Sequence, residues 1–250
     1  MPGMKLCILD NDELDPPMVL PYGSYAAMFE RLLRAAGWQG EVEVFQTRRG
    51  QLPDAQAGHD AVLLTGSRAD AFSDDGWVRA LRRHVEALLH QGTPLVGVCF
   101  GHQLIAHCLG ARVQRAPQGW GSGRMVYDWH VPHLLPPDGD AVRTQVALLA
   151  SHQDQVLTLP HGATLLASSE HCPVAGYALG EQVLCLQPHP EFDARYSAYL
   201  LGKRREHMGE SHYAERLQSL AQAHEGPLMG ALMARFMAQG HSGPGTGNPS

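Results

Sequence analysis

The sequence predicts an α/β fold with a doubly wound, mostly parallel sheet flanked by helices, together with a small antiparallel section. Short apolar runs alternate with helical patterns over the first 110 residues, which is typical of parallel strands joined by right-handed crossovers. Beyond Gly110 the strand-like runs follow one another without intervening helices, which indicates antiparallel strands packed on the main sheet. The 250 residues, 44% of them hydrophobic and 18% charged, suffice for one large α/β domain.

The elements of the first half follow from local patterns. An apolar run over 5–10 predicts the first strand, and Ser24 is placed to cap a helix that Gly37 closes. The segment 11–22 between them is acidic and contains prolines, so we expect a loop at the carboxyl edge of the sheet. The other predicted elements here are strands over 41–45, 60–64 and 94–96, and helices over 76–90 and 102–109.

The second half contains shorter elements. We predict helices over 195–205 and in later segments up to Gln239, and strands over 112–113, 124–129, 145–150, 164–168, 173–178 and 182–186. Residues 1–239 are expected to form one domain, followed by a flexible tail over 240–250 that is rich in Gly, Pro, Ser and Asn. The segment 120–137 combines aromatic residues with prolines and glycines, and it is either a lid or acceptor-facing surface or an ordinary surface loop.

A cysteine stands between a predicted strand and a predicted helix, in the stretch Gly97-Val98-Cys99-Phe100-Gly101. This spacing is that of a nucleophile elbow, in which flanking glycines allow close backbone approach while the central residue occupies a strained conformation. The helix N-terminus behind the side chain favours a thiolate. The alternative is a buried cysteine on a core strand. The pattern indicates that Cys99 is a candidate nucleophile.

A candidate base follows another strand-like run, in the stretch Gln187-Pro188-His189-Pro190-Glu191-Phe192. A thiol nucleophile needs a group that accepts its proton, and an imidazole in turn needs a carboxylate that orients it. His189 and Glu191 are two residues apart, so their side chains share a face of an extended segment. A parallel sheet can bring the ends of two strands together. The alternative for His189, one of fifteen histidines, is a surface loop position.

Three motifs resemble the signatures of class I glutamine amidotransferase domains: Gly-Val-Cys-Phe-Gly-His-Gln at 97–103, Ser-His-Gln-Asp at 151–154 and Gln-Pro-His-Pro-Glu-Phe at 187–192. The resemblance extends from about residue 5 to residue 199 and is closest to the free-standing, GMP-synthetase-like branch. It implies a flavodoxin-like fold with a catalytic triad of Cys99, His189 and Glu191. It also implies that Gln103 lines the glutamine pocket and that the backbone of the loop Ser151-His152-Gln153 binds the amino-acid end of the substrate.

The turn Thr65-Gly66-Ser67 resembles the oxyanion loop of that family, although it departs from the usual Gly-Gly-Pro-x-Ser form. It follows the strand-like run 60–64. Backbone N–H groups stabilise the oxyanion of a tetrahedral intermediate by roughly 3–4 kcal/mol each. We nominate the amides of Gly66 and Phe100 as this pair, the alternative being a plain connection from a strand to a helix.

The resemblance implies a glutaminase or amidotransferase that hydrolyses the side-chain amide of L-glutamine through a γ-glutamyl thioester and releases ammonia to an acceptor. Because neither a phosphate loop nor a second domain is visible, either a separate synthetase subunit accepts the ammonia or no acceptor does. Two alternatives stay open. One is a γ-glutamyl peptide hydrolase with the same triad, and the other is a non-catalytic binding or regulatory module.

Composition excludes several other classes of function. A net charge of −6 without a Lys/Arg-rich block argues against a nucleic-acid partner, and no run approaches the roughly 20 apolar residues of a membrane span. Five cysteines without paired spacing and the lack of a signal-peptide pattern predict a cytoplasmic protein. Neither Cys-x-x-Cys nor His-Glu-x-x-His occurs, so we expect no metal and no other cofactor.

Overall fold

The computed structural model describes residues 3–54, 57–135 and 142–239. Its strands and helices follow one another along the chain as the sequence predicts for an α/β protein. The strands are β1 (Lys5–Asp10), β2 (Glu41–Gln46), β3 (Ala61–Leu64), β4 (Leu95–Val98), β5 (Val113–Arg115), β6 (Gly121–Trp129), β7 (Gln145–His152), β8 (Asp154–Val156), β9 (Thr164–Ser168), β10 (Gly176–Leu179) and β11 (Val183–Leu186). The α-helices are α1 (Pro16–Tyr22), α2 (Tyr25–Ala35), α3 (Gly76–His90), α4 (Phe100–Cys108), α5 (Ala194–Met208), α6 (Glu210–Ser219) and α7 (Gly226–Gln239).

One sheet of nine strands organises the described residues, in the order β2-β1-β3-β4-β11-β10-β9-β6-β7. The first five strands of this order are parallel to one another. Helices α2 and α7 pack on one face and α3 and α4 on the other, each over a separate apolar core. The predicted doubly wound α/β fold is therefore confirmed, and the carboxyl ends of β3, β4 and β11 meet at one edge of the sheet.

The antiparallel section is part of the same sheet, which corrects the expectation that it packs on it. Strand β10 pairs antiparallel with β11, with Tyr177 opposite Cys185, because Gly180 turns the chain with φ of +54°. Strands β9, β6 and β7 then continue the order antiparallel, while β5 and β8 form a separate two-stranded pair. The antiparallel strands extend the sheet because main-chain N–H and C=O groups at the border of the parallel section thereby gain hydrogen-bond partners.

Strand β7 is the last strand of this order, yet hydrogen bonds also reach it from outside the sheet. The main-chain N–H of His189 donates to the carbonyl of Leu149 at 2.8 Å. The N–H of Glu225 donates to the carbonyl of Ala147 at 2.8 Å, and the carboxylate of Glu225 accepts from the N–H of the same alanine. The segment that carries His189 is thereby fixed against the outer edge of the antiparallel section.

One prediction about an irregular segment was wrong. The segment 11–22 contains helix α1, because Pro16 stands at the start of the helix, where a missing N–H costs nothing, and Met18 and Tyr22 bury their side chains. The strand predicted over 124–129 is confirmed within β6, whose Tyr127 is fully buried against the core. The expectation of a surface loop over 120–137 is therefore wrong for residues 121–129.

Three expectations concern features outside this architecture. The predicted flexible tail at 240–250 lies beyond the described residues. None of the helices within 3–54, 57–135 and 142–239 is both long and apolar enough to cross a bilayer. No group of three or more His, Cys, Asp or Glu side chains in those ranges is arranged to hold a metal ion.

Candidate active site

Cys99 occupies a strained turn between β4 and α4. Its φ of +53° and ψ of −103° make it the one non-glycine residue with positive φ in the described part of the chain. A Cβ on Gly97 would lie 2.7 Å from the carbonyl of Gly101, and a Cβ on Gly101 would lie 2.5 Å from the carbonyl oxygen of Leu64. Because these approaches need glycine, the turn has the geometry of the predicted elbow, and its strain costs on the order of 1–3 kcal/mol.

His189 and Glu191 lie beside this turn because β4 and β11 are neighbouring parallel strands. Nδ1 of His189 is 2.7 Å from Oε1 of Glu191, and the imidazole lies close enough to Cys99 to interact with it electrostatically. The ring of Phe192 stacks on the imidazole with a centroid distance of 3.9 Å and an angle of 6°. All three predicted triad residues are therefore brought together, and an aromatic ring fixes the plane of the imidazole.

Electrostatics in this chain favour a protonated imidazole. Burial of His189 opposes its charged form, but the negative charge of Glu191 and that of Cys99 outweigh this and raise the pKa of His189 to about 10. Both residues of the His189–Glu191 pair are almost inaccessible to solvent, which strengthens their interaction. The arrangement can hold an imidazolium next to the side chain of Cys99.

The turn after β3 faces Cys99 and His189. A Cβ on Gly66 would lie 2.9 Å from Cε1 of His189 and 3.6 Å from Cβ of Cys99. Within the described residues no hydrogen bond engages the main-chain N–H of Gly66 or that of Phe100. Both amides nominated from the sequence are therefore available to an oxygen atom of a ligand.

Asn11, which is not among the site residues predicted from the sequence, holds this turn in place. Its side-chain amide donates to the carbonyl of Thr65 at 2.9 Å, and its main-chain N–H donates to the hydroxyl of Thr65 at 2.9 Å. Asn11 directly follows β1 and is fully buried. A buried polar residue at the carboxyl end of a parallel strand was the signal that could have identified it.

Gln103 projects from α4 into the cleft that Cys99 lines, and its side-chain nitrogen is hydrogen bonded within the protein. The side-chain amide donates to the carbonyl of Asp154 at 2.8 Å and to Oε1 of Gln187 at 3.1 Å. Since a main-chain carbonyl can only accept, this pairing fixes which end of the amide is nitrogen. The side-chain oxygen of Gln103 remains available to a donor such as a substrate ammonium group.

The expectation that Ser151-His152-Gln153 forms a loop is wrong in part, because Ser151 and His152 are the last two residues of β7. All three residues line the cleft, but the ring of His152 is buried beneath Gly121, where a Cβ would lie 2.7 Å from its Nε2. The strand continues because β6 pairs with it as far as the Gly121–His152 position. Asp154, which the sequence motif contains but which was not nominated, also lines the cleft and pairs with Arg115 at 3.0 Å.

The cleft measures about 410 Å³ and extends from Cys99 to Asp15, directly before α1, and to residues of α5. It is lined by the residues described above together with several charged side chains and one indole ring. These further lining residues include Asp15, Arg68, Asp70, Arg115, Trp120, Leu200, Lys203 and Arg204.

We expect buried His102 to make the stability of the protein dependent on pH. Burial lowers the pKa of this ring from 6.5 to about 3, so below pH 6.5 the unfolded chain binds a proton that the folded chain does not. The contribution of His102 to the free energy of unfolding therefore falls as the pH drops. Relative to wild type, the free energy of unfolding of His102→Gln should rise by about 1.4 kcal/mol between pH 7.5 and pH 5.5.

Urea titrations of the two proteins at both pH values measure this difference. His207→Gln, a change at an exposed histidine, is the matched control. If the free energy of unfolding changed equally with pH in wild type and in His102→Gln, the prediction would be wrong. The ring would then take up its proton in the folded protein as readily as in the unfolded chain.

The fold and the arrangement around Cys99 define a class of protein, and comparison with known sequences agrees. The family model for glutamine amidotransferase class-I matches residues 19–201, and the chain belongs to this family. The resemblance noted from the motifs is thereby confirmed. A solved glutamine amidotransferase from Thermotoga maritima shares the fold with a TM-score of 0.72 at 19% identity, over 96% of this chain and 98% of that one.

Among individual relatives, the chain is 35% identical to gamma-glutamyl peptidase 3 of Arabidopsis thaliana, over 68% of this chain and 71% of that protein. It is 33% identical to gamma-glutamyl peptidase 4 of the same plant, over 69% of each protein. It is also 32% identical to the glutamine-hydrolysing GMP synthase of Aeropyrum pernix, over 74% of this chain but 35% of that enzyme.

Proposed function

We propose that this protein is a cysteine-dependent hydrolase of γ-glutamyl amide bonds and that its main substrates are γ-glutamyl peptides or conjugates. The observation that carries the proposal is the arrangement of Cys99, His189 and Glu191, with a short hydrogen bond between the last two, beside two unengaged amides. A leaving group larger than ammonia is supported by the cleft of about 410 Å³, which extends from Cys99 to Asp15 and to residues of α5. The similarity to two gamma-glutamyl peptidases supports the same choice.

The proposed reaction proceeds through a covalent intermediate. The thiolate of Cys99 attacks the side-chain carbonyl carbon of the γ-glutamyl group, and the N–H groups of Gly66 and Phe100 donate to the resulting oxyanion. The imidazolium of His189 then donates its proton to the departing nitrogen as the C–N bond breaks. A water molecule loses a proton to His189, attacks the γ-glutamyl thioester and releases glutamate, which regenerates the thiolate.

The glutamyl part of the substrate would lie on the Gln103 side of Cys99. The side-chain oxygen of Gln103, whose nitrogen is already engaged, is suited to accept a hydrogen bond from the substrate ammonium. The main chain at Ser151, His152 and Gln153 lies along the same wall and can bind the rest of the amino-acid end. The fixed distance from Cys99 to the groups that bind the amino-acid end would select substrates with a γ-amide over substrates with an α-amide.

A second candidate is a glutaminase that passes ammonia to a separate synthetase subunit. The partial similarity to a glutamine-hydrolysing GMP synthase favours it, because the matched part is about a third of that enzyme. The same three residues would perform the chemistry, with L-glutamine as the substrate. The two candidates differ in the leaving group that the cleft accepts.

The experiment that separates these candidates is the release of glutamate from L-glutamine and from a γ-glutamyl dipeptide, with wild type beside Cys99→Ala. Cys99-dependent turnover of the dipeptide without any partner supports the proposed function. Turnover of glutamine alone would support the glutaminase. If neither substrate is cleaved and Cys99 reacts with iodoacetamide no faster than buried Cys172, the protein is the non-catalytic module.

We expect Glu191→Gln to lower kcat for a γ-glutamyl dipeptide by about 100-fold with little change in KM. The carboxylate raises the pKa of His189, so its loss makes the imidazolium less populated beside Cys99. Steady-state kinetics and the pH profile of kcat are the measurements, and the profile should shift to lower pH. Glu181→Gln, at an exposed glutamate of the β10–β11 turn, is the control. A loss confined to KM would contradict this role.

A further inference from the structure

Arg204 differs from the other cations of the cleft in having no carboxylate partner. Four Arg and Lys side chains of the described residues line the cleft, and three of them are ion paired: Arg68 with Asp12, Arg115 with Asp154 and Lys203 with Asp15. Across the described residues Arg204 forms no ion pair, and its guanidinium donates one hydrogen bond, to the carbonyl of Leu200 at 3.2 Å. Several of its N–H groups therefore lack an acceptor.

The indole of Trp120 holds this guanidinium in place. Cζ of Arg204 lies 4.0 Å from the centroid of the indole, and the ring is 36% exposed at the cleft. A guanidinium that stacks by its face keeps its N–H edge free, and that edge matches a carboxylate with two parallel hydrogen bonds. Burial also lowers the pKa of Arg204, as expected for a cation with little water around it and no anion in contact.

The position of Arg204 relates it to the leaving group of the proposed reaction. At the sheet edge, the oxyanion turn follows β3, the nucleophile follows β4 and the base follows β11, in that spatial order. The departing nitrogen receives its proton from His189, so the bond that breaks lies beside this imidazole. Helix α5 begins five residues after His189, and its Arg204 lines the same cleft as Cys99 and His189.

We propose that Arg204, positioned by Trp120, binds a carboxylate group on the leaving group of the substrate. The preferred substrates are then γ-glutamyl peptides whose departing amine is an amino acid or short peptide with a free carboxyl terminus. This inference rests on the proposed function and specifies the substrate class of the same site. Trp120 acts through Arg204 and is a positioning residue.

The test compares two substrates, a γ-glutamyl dipeptide with a free carboxylate and the same compound with a terminal carboxamide. For wild type we expect kcat/KM to be at least about tenfold higher for the acid, as for a charged hydrogen bond in a partly dry site. In Arg204→Gln this ratio falls towards one. Arg204→Lys, which keeps the charge but not the planar fork, retains an intermediate ratio.

Two further variants separate binding from general damage to the fold. Arg205→Gln changes the next cation of α5, which does not line the cleft and pairs with Glu210, and should keep the wild-type ratio. Trp120→Leu frees the guanidinium from its stack and should lower the ratio through KM for the acid. Thermal unfolding of each variant shows whether it is folded at the assay temperature.

Three results would overturn the inference. A wild-type enzyme that cleaves acid and carboxamide equally well in a Cys99-dependent manner retains the proposed function but needs no carboxylate site. Equal losses for both substrates in Arg204→Gln would assign the guanidinium to the glutamyl carboxylate or to a structural role. Absence of Cys99-dependent cleavage of either compound would contradict the proposed function, and this inference with it.

Discussion

Replacement of Cys99 by alanine is expected to lower kcat/KM for a γ-glutamyl dipeptide by about 10⁴-fold or more, because no other group at this position can form the thioester. The backbone conformation should survive the change, since alanine is smaller than cysteine and the turn is fixed by the close approaches at Gly97 and Gly101. Binding of substrate should survive as well, because the pocket around Gln103 is intact. Glutamate release measures the loss, and equilibrium dialysis with the dipeptide measures the binding that remains.

Cys108→Ala is the matched control. Cys108 is the last residue of helix α4, which begins directly after Cys99, and it is half-buried away from the cleft. We expect wild-type kinetics for it. Substantial turnover by Cys99→Ala, or a comparable loss in Cys108→Ala, would contradict the role of Cys99 as nucleophile.

The substitution Gly66→Ala is expected to lower kcat by about 10³-fold, through the oxyanion turn and the base together. A Cβ at this position would lie 2.9 Å from Cε1 of His189, so either the imidazole or the turn must move. The imidazole cannot retreat, because the ring of Phe192 stacks on its face at 3.9 Å and Glu191 holds Nδ1. The displacement therefore falls on the amide that faces the oxyanion.

Gly202→Ala supplies the control for this prediction. Gly202 lies within α5, where an added Cβ meets nothing within 4 Å, and alanine there favours the helix by up to about 1 kcal/mol. We expect normal kinetics and equal or higher thermal stability for that variant. Normal turnover by Gly66→Ala would show that the turn shifts without consequence and that the oxyanion binds elsewhere.

The parallel part of the fold was predictable because its determinants are local. Strand β1 and helix α3 have the predicted bounds, since an apolar run and an apolar stripe define them without reference to the rest of the chain. The turn at Cys99 was predictable for a related reason. The glycines two residues before and two residues after Cys99 act on the backbone of the same short turn. Spatial proximity of Cys99 and His189 then follows from parallel pairing of β4 and β11.

Features that depend on distant contacts could not be predicted in this way. Helix α1 is stabilised by a cluster that includes Tyr22, Tyr25 and Tyr196, whose contribution is invisible in a stretch of prolines and acidic residues. Arg204 belongs to a short basic run that resembles a solvated surface, and only the stacking on Trp120, 84 positions away in the sequence, distinguishes it. Asn11 differs from these, because its position at the end of β1 is visible in the sequence and only its contact with Thr65 is not.

The hydrogen bond between the main chain of His189 and Leu149 has a consequence for self-association. Strand β7 is the last strand of the sheet in the described residues, and an uncovered last strand is a template on which a second molecule can add its own strand. The main chain at His189 and the side chain of Glu225 already form hydrogen bonds with this edge of β7. A change that releases this segment would expose β7 to aggregation at the moment when it displaces His189, so colloidal solubility and turnover would decline together.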